Sequence, residues 1–334
     1  LGAFHNSAER FDPPKCYPKT REAIIAKIKA WVEERVENGE RLVLWMYGPA
    51  GAGKSAIAQS IAELCEALLA ASFFFSRPAE GRSDSSRLIA TIIWQLIMTI
   101  PEMRDTVLSS LERDPTILSR TQATQMKVLL VDPLNRIPKE TLRQHPCLVI
   151  IDGLDCLPTE SQNDVLKLLS TFLPQLNTPL YFFVASRPCS NIRNALDLFR
   201  PLIDTLPLED DYQSIEDIRH FFTSSFEEMR NEHPHLPRSW PQMVDIEYLV
   251  RKSSGHFIYA STVIRYVTQG RHGHENRLQT FLPVQSHNNS VTPFTMLDAL
   301  YLSIFQSLRE CAVEKVLQVL CALICLEEYH GLTC

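Results

Sequence analysis

One eight-residue stretch restricts this chain more than any other: Gly48, Pro49, Ala50, Gly51, Ala52, Gly53, Lys54 and Ser55. It follows the apolar run Leu42-Val43-Leu44-Trp45-Met46-Tyr47. Together they predict a strand, a glycine loop and the start of a helix. Glycines let the backbone turn tightly and bring its N–H groups up to phosphate oxygens. Lys54 is then placed for the β- and γ-phosphates, and the Ser55 hydroxyl for Mg²⁺. The helix adds the positive end of its dipole. The competing reading, a glycine-rich surface turn, does not account for the strand before it.

At 334 residues the chain has room for about two domains. It is 45% hydrophobic and 22% charged, an ordinary globular balance. A formal net charge of −6 speaks against sequence-independent nucleic-acid binding. Leu1 in place of Met leads us to expect a piece of a longer chain, and the apolar faces of the last helical run lead us to expect more chain to cover them. The most apolar stretch, Leu88 to Ile100, lies between Arg87 and Pro101 and is interrupted by Thr91, Gln95 and Thr99. It suits a buried helix, not a bilayer crossing. The nine cysteines include no CxxC pair. Cys65, Cys147, Cys156, Cys311, Cys321 and Cys325 read as reduced, buried thiols, and the location expected is cytoplasmic. His233, His235, His272 and His274 read as loop histidines, with no metal-ligand spacing beside them.

Residues 1–19 are expected to be irregular, because Pro13, Pro14 and Pro18 lack N–H donors. Thr20 is expected to cap a helix carrying Ile24, Ile25, Ile28, Trp31, Val32 and Val36 and stopped by Gly39. After the P-loop helix, running to about Leu69, Ser72–Phe75 reads as a second strand. A helix opened by Asp84 or Ser85 runs to Ile100. Residues 101–145 read as helices broken at Pro101, Pro115, Pro133 and Pro138. Cys147–Ile151 is a third strand ending at Asp152, Asp164–Leu173 a helix, and Leu180–Ala185 a fourth strand ending at Ser186. Strands alternating with helices imply an α/β fold, a three-layer parallel-sheet P-loop NTPase. After Pro207 the pattern is helical: a Ser214/Asp217 capping box, a helix ending near Gly255, another through Val267, a polar linker, and a further helical run from Met296 to Leu326. The boundaries expected are a lead-in over 1–19, a nucleotide-binding domain over 20–207, a helical subdomain over 208–270, a linker over 271–290 and a truncated unit over 291–334.

Asp152 closes an apolar strand at its carboxyl end, where ligands bind in open α/β sheets. There it can hold Mg²⁺ opposite Ser55. Asp155 can orient an attacking water or serve as a turn residue. Arg187 can sense a γ-phosphate or pair with an acid on the surface. No guanine-recognition signature and no Ser-Gly-Gly-Gln segment of transporter ATPases occurs, which favours adenine nucleotides by exclusion.

These residues resemble a known family. Tyr47 to Ser55, Ser72-Phe73-Phe74-Phe75-Ser76-Arg77, Ile150-Ile151-Asp152-Gly153-Leu154-Asp155 and Ala185-Ser186-Arg187-Pro188 look like fungal NACHT domains, similar to the nephrocystin-like NACHT modules of the STAND signalling NTPases. Ala8-Glu9-Arg10-Phe11, Cys16 and Thr20-Arg21 resemble their lead-in. Gly255 to Ala260 resembles their helical subdomain, and Leu297 to Tyr301 the start of a winged-helix-like unit. The resemblance implies a switch held closed by ADP and opened by exchange for ATP, with self-oligomerisation. It further implies an N-terminal effector and a C-terminal repeat sensor outside these residues, and a role in nonself recognition or cell death. It places adenine near Pro18–Arg21. One departure stands out: the family commonly has an acid directly after the second aspartate, and here that residue is Cys156. Slow ATP hydrolysis follows as the expectation. Two other readings stay open, a nucleotide-stabilised scaffold without useful hydrolysis and a P-loop small-molecule kinase.

Overall fold

A computed structural model describes residues 2–38, 41–77, 79–177, 180–197, 200–208, 212–269, 273–282 and 318. The chain divides into two compact units, Leu1–Asp211 and Tyr212–Cys334. The expected helix from Met296 to Leu326 and the winged-helix-like start at Leu297–Tyr301 lie outside the described residues, residue 318 apart.

The first unit is a parallel α/β sheet with its helices. Its elements run α1 (Glu22–Asn38), β1 (Val43–Tyr47), α2 (Lys54–Leu64), β2 (Leu69–Phe74), α3 (Leu88–Thr99), α4 (Met103–Arg113), α5 (Gln122–Met126), α6 (Asp132–Arg136), α7 (Lys139–Leu142), β3 (Leu148–Asp152), α8 (Thr159–Phe172), β4 (Tyr181–Ser186), α9 (Ser190–Asp197) and β5 (Ile203–Pro207). The strands lie in the order β2-β3-β4-β1-β5 and every pairing is parallel. Strands covered on both faces read as unbroken apolar runs, because neither side meets water. Leu148 to Ile151 and Phe182 to Ala185 are all buried, and they carry the centre of the core.

Several elements differ from the sequence expectation. β5 is a fifth strand where none was expected. It is a short edge strand beside β1, half exposed, so its sequence Ile-Asp-Thr-Leu-Pro lacks the dense apolar run that marks the others. β2 starts at Leu69, where the preceding helix is expected to end and three residues before the expected strand at Ser72, since burial in the sheet overrides the helix preference of Ala70 and Ala71. α8 begins at Thr159, five positions before the expected Asp164, just after Pro158. Pro133 does not break its helix: it sits in the first turn of α6, and a π-helical turn over Lys127–Val131 joins it to α5. The wider π turn just before Pro133 takes up the missing N–H and the bulk of the ring, which an unbroken α-helical ladder would not accommodate. Thr20 does not cap α1, because its hydroxyl donates to the Tyr17 carbonyl at 2.6 Å and Arg21 (φ 58°) intervenes.

The outer edge of β2 is closed by side chains and by the lead-in. The Ser72 N–H donates to Gln95 Oε1 at 2.9 Å, and Gln95 Nε2 returns a bond to the Ser72 carbonyl at 2.9 Å. Thr99 Oγ1 donates to the Ala70 carbonyl at 3.2 Å, and the Phe74 N–H to the Ala3 carbonyl at 2.8 Å. Gln95 and Thr99, the polar breaks in an apolar helix, thus cover an edge that would otherwise offer free backbone groups.

The second unit is helical: α10 (Tyr212–Glu232), α11 (Met243–Ser253), α12 (Phe257–Thr268) and α13 (His274–Gln279). Ile218, Phe222, Phe226, Leu249 and Val263 form its core at helical spacing. Ser214 and Asp217 fall inside α10, and the capping box stands instead at Gln242 and Asp245 of α11. Arg219 ties α10 to α11 through a forked pair with Glu247 at 2.6 and 3.1 Å. Part of the expected linker is helix α13, whose His274 is buried, bonded through Nδ1 to the Val267 carbonyl, with its ring 4.4 Å from that of His233 and tilted to it by 36°. Among the described residues no group of three His, Cys, Asp or Glu side chains is placed to hold a metal. Among them, too, no helix is long and apolar enough to cross a membrane.

Candidate functional site

The site is built where β1, β3 and β4 end. β1 stops at Tyr47 and α2 starts at Lys54, so residues 48–53 form the loop between them. Gly51 (φ 78°) and Gly53 (φ 90°) take the left-handed backbone that side chains disfavour. Gly48 is required for a different reason: a Cβ there would stand 2.9 Å from the Leu208 Cβ. Lys54 Nζ donates to the Gly48 and Pro49 carbonyls at 2.8 and 2.7 Å, which keeps the ammonium over the loop. Burial lowers the Lys54 pKa, and the Asp155 and Asp152 carboxylates pull it back up.

Asp152 closes β3 and is 3% exposed. Burial pushes its carboxyl up to about 6, opposed by a hydrogen bond from Ser55 and by the charges of Arg10 and Lys54. A hydroxyl and a carboxylate bonded to each other are two hard oxygen donors with a lysine ammonium beside them. That donor set suits Mg²⁺, which takes one or two protein oxygens and fills the rest with water and phosphate.

Asp155 and Arg187, which the sequence leaves each with two readings, are brought onto one another. The Arg187 N–H donates to Asp155 Oδ1 at 2.8 Å and its Nε to Oδ2 at 2.6 Å. Asp155 is 8% exposed, and its hydrogen bond holds the Arg187 guanidinium above its usual pKa. Gly153 (φ 76°) forms the turn that separates the two aspartates, and its N–H donates to the Ala185 carbonyl at 2.9 Å. Cys156 is a half-buried free thiol, raised by burial first and then by Asp155.

The lead-in reaches this site. Arg21 donates to the Ala52 carbonyl at 3.0 Å, which sets the Pro18–Arg21 segment against the P-loop. Arg10, 8% exposed, lies 3.5 Å above the Phe74 ring and donates to Gln59 Oε1 at 2.7 Å. Sequence reasoning gave Arg10 no role. Its run, Ala8-Glu9-Arg10-Phe11, resembles the family's lead-in without pointing to a partner, and only the fold brings Arg10 to Gln59 and Phe74.

Comparison with known proteins gives a family and distant structural likenesses. No curated protein matches the chain. Among solved structures, a Walker-type ATPase of Pyrococcus abyssi overlaps with a TM-score of 0.48 at 15% identity, covering 80% of this chain and 73% of that one. The Aeropyrum pernix ORC2 protein, in ADPNP–ADP complexes, gives 0.46 at 13%, covering 94% and 75%. A Thermotoga maritima RuvB mutant gives 0.37 at 13%, covering 83% and 68%. Overlaps below a TM-score of 0.5 are too loose to carry chemistry from those proteins to this one. The profile of the nephrocystin 3 N-terminal family matches residues 20–187, from the start of α1 through the Asp155–Arg187 pair. That span is half of the sequence and holds the glycine loop and both aspartates, so the chain belongs to the nephrocystin 3 N-terminal family.

Proposed function

We propose that this chain is an ATP/ADP-controlled switch of the STAND type, with slow hydrolysis as its timer. One observation carries the nucleotide reading: Lys54, Ser55 and Asp152 converge on a glycine loop at the carboxyl end of a parallel sheet. Loop N–H groups and the α2 N-terminus take the α- and β-phosphates. Lys54 exchanges its bonds to Gly48 and Pro49 for phosphate oxygens. Ser55 and Asp152 would hold Mg²⁺, which would supply charge neutralisation to the phosphates. Arg21 and its neighbours stand beside the loop as the adenine-side wall.

Slow hydrolysis is supported by the state of the groups that could act as base. Both Asp155 oxygens accept bonds from Arg187, and the next residue is a thiol. A rearrangement that swings Arg187 toward a γ-phosphate would free Asp155 to orient water, so chemistry and conformational change are linked. The same pair favours a second reading, a nucleotide-stabilised scaffold in which the pair never opens. In the switch reading, exchange of ADP for ATP drives opening and self-association, with fungal nonself or cell-death signalling as the setting the motifs suggest.

The test is calorimetry of the chain with ADP and ATP in the presence of Mg²⁺, alongside Lys54→Ala. Binding by the wild type, abolished in Lys54→Ala with the fold intact by circular dichroism, supports the site. No binding of either nucleotide by folded wild type overturns it. Turnover above about 10 s⁻¹, the median for enzymes, overturns the switch. Single-turnover hydrolysis that is undetectable favours the scaffold.

A further inference from the structure

The irregular lead-in carries a buried cation whose two anchors are the neighbours of the two metal-site residues. Arg10 ends a single helical turn, Ala8–Arg10, and its guanidinium is pinned in three ways. It lies over the Phe74 ring at 3.5 Å, donates to Gln59 Oε1 at 2.7 Å and donates to the His5 carbonyl at 3.0 Å. Phe74 is the residue paired with Asp152 across β2 and β3. Gln59 stands four residues after Ser55 on α2, one turn along the same helix face. The guanidinium therefore spans from the strand beside Asp152 to the helix that carries Ser55.

We propose that Arg10 is a positioning residue for the Ser55–Asp152 pair, fixing the spacing at which hydroxyl and carboxylate accept one metal ion. The proposal rests on the nucleotide reading above. Burying a guanidinium is costly unless its charge and donors are satisfied. Here the donors go to a side-chain amide and a backbone carbonyl, and the carboxylate that most supports the charge is Asp152 itself. Further ties keep the lead-in in register with α2: the Cys16 N–H donates to Ser60 Oγ at 3.0 Å, and Lys15 pairs with Glu63 at 2.8 Å. Arg10 acts through Phe74 and Gln59, and touches neither phosphate nor metal.

The test separates metal-dependent from metal-independent binding. ATP affinity of the 334-residue chain is measured by calorimetry with Mg²⁺ and with EDTA, for wild type, Arg10→Gln and Arg10→Lys. In Arg10→Gln the tightening given by Mg²⁺ shrinks about tenfold, the usual scale for losing an outer-shell partner of a metal site, while the EDTA affinity stays within about twofold. Arg10→Lys, which keeps the charge without the fork, recovers part of the difference. An unchanged Mg²⁺ gain in Arg10→Gln, or equal loss with and without metal, overturns the proposal. Where Arg10→Gln does not fold, Gln59→Leu, which unties the fork, decides by the same ratio: a reduced gain supports the role and an unchanged one overturns it. Wild type that ignores ATP in both buffers is a failure of the nucleotide reading instead, and is distinguishable for that reason.

Discussion

Two aspartates three residues apart meet opposite treatment in this fold. Asp152, at the end of β3, is sealed in the core with one hydroxyl bonded to it and cations held at a distance, and its carboxyl rises to about 6. Asp155, past the Gly153 turn, has both oxygens engaged by one arginine, through the backbone and through the guanidinium. The first is an ionisable group kept short of partners, a state that a protein tolerates at a binding site and otherwise avoids. The second is a brace that ties the turn after β3 to the end of β4. The lesson is that a carboxylate's readiness for ligand chemistry depends on what its own fold leaves unbonded, not on its distance from the P-loop.

The contrast can be broken most forcefully by neutralising Asp152. Its folded pKa lies above the ordinary 3.8 of the unfolded chain, so the folded state holds the proton more tightly. Stability from this group is present below about pH 4 and is lost as pH climbs to about 6, leaving a cost on the order of 3 kcal/mol above that. Asp152→Asn is therefore expected to stabilise the metal-free protein at pH 8, with a gain over wild type that shrinks toward pH 4. Chemical denaturation at both pH values checks it, and a destabilised Asp152→Asn at pH 8 would erase the contrast.

Asp155→Asn should move the other way. It removes the anion from a pair whose arginine side chain is 40% exposed, so the full cost of breaking a buried pair is discounted to about 2 kcal/mol. A lower thermal midpoint at neutral pH is the readout. A midpoint equal to or above that of wild type would remove the brace from the account. Gly153→Ala tests the turn between the two aspartates. The φ of 76° and a Cβ placed 3.1 Å from the Phe75 carbonyl predict a loss of about 1 kcal/mol by denaturant titration. No loss would mean that the turn between the aspartates relaxes freely.

What the sequence displayed well was whatever rests on contiguous residues. The glycine loop, its flanking strand and helix, and the apolar strand ending at Asp152 are local patterns with local causes. β5 escaped notice because an edge strand needs only one partner and little burial. The Asp155–Arg187 bond escaped because it joins two loops 32 residues apart, and each residue alone is compatible with several roles. Arg10 lies in a recognisable lead-in run, but that run gives no hint of its contacts, since its partners Gln59 and Phe74 come from a helix and a strand that only the tertiary fold makes adjacent. The Ser214/Asp217 motif misled for the converse reason. Its spacing is right for a cap, but α10 starts at Tyr212, and the same device works at Gln242 and Asp245.

The amide of Gln95 and the hydroxyl of Thr99 bear on more than the fold of one chain. Templated fibre growth needs a bare ladder of peptide groups, and on the β2 flank there is none to copy. A neighbour arriving from that side meets the exposed Trp94 and Met98 of α3 in place of backbone. Contacts there are made by side-chain shape, which selects its partner, where an open strand would accept almost any.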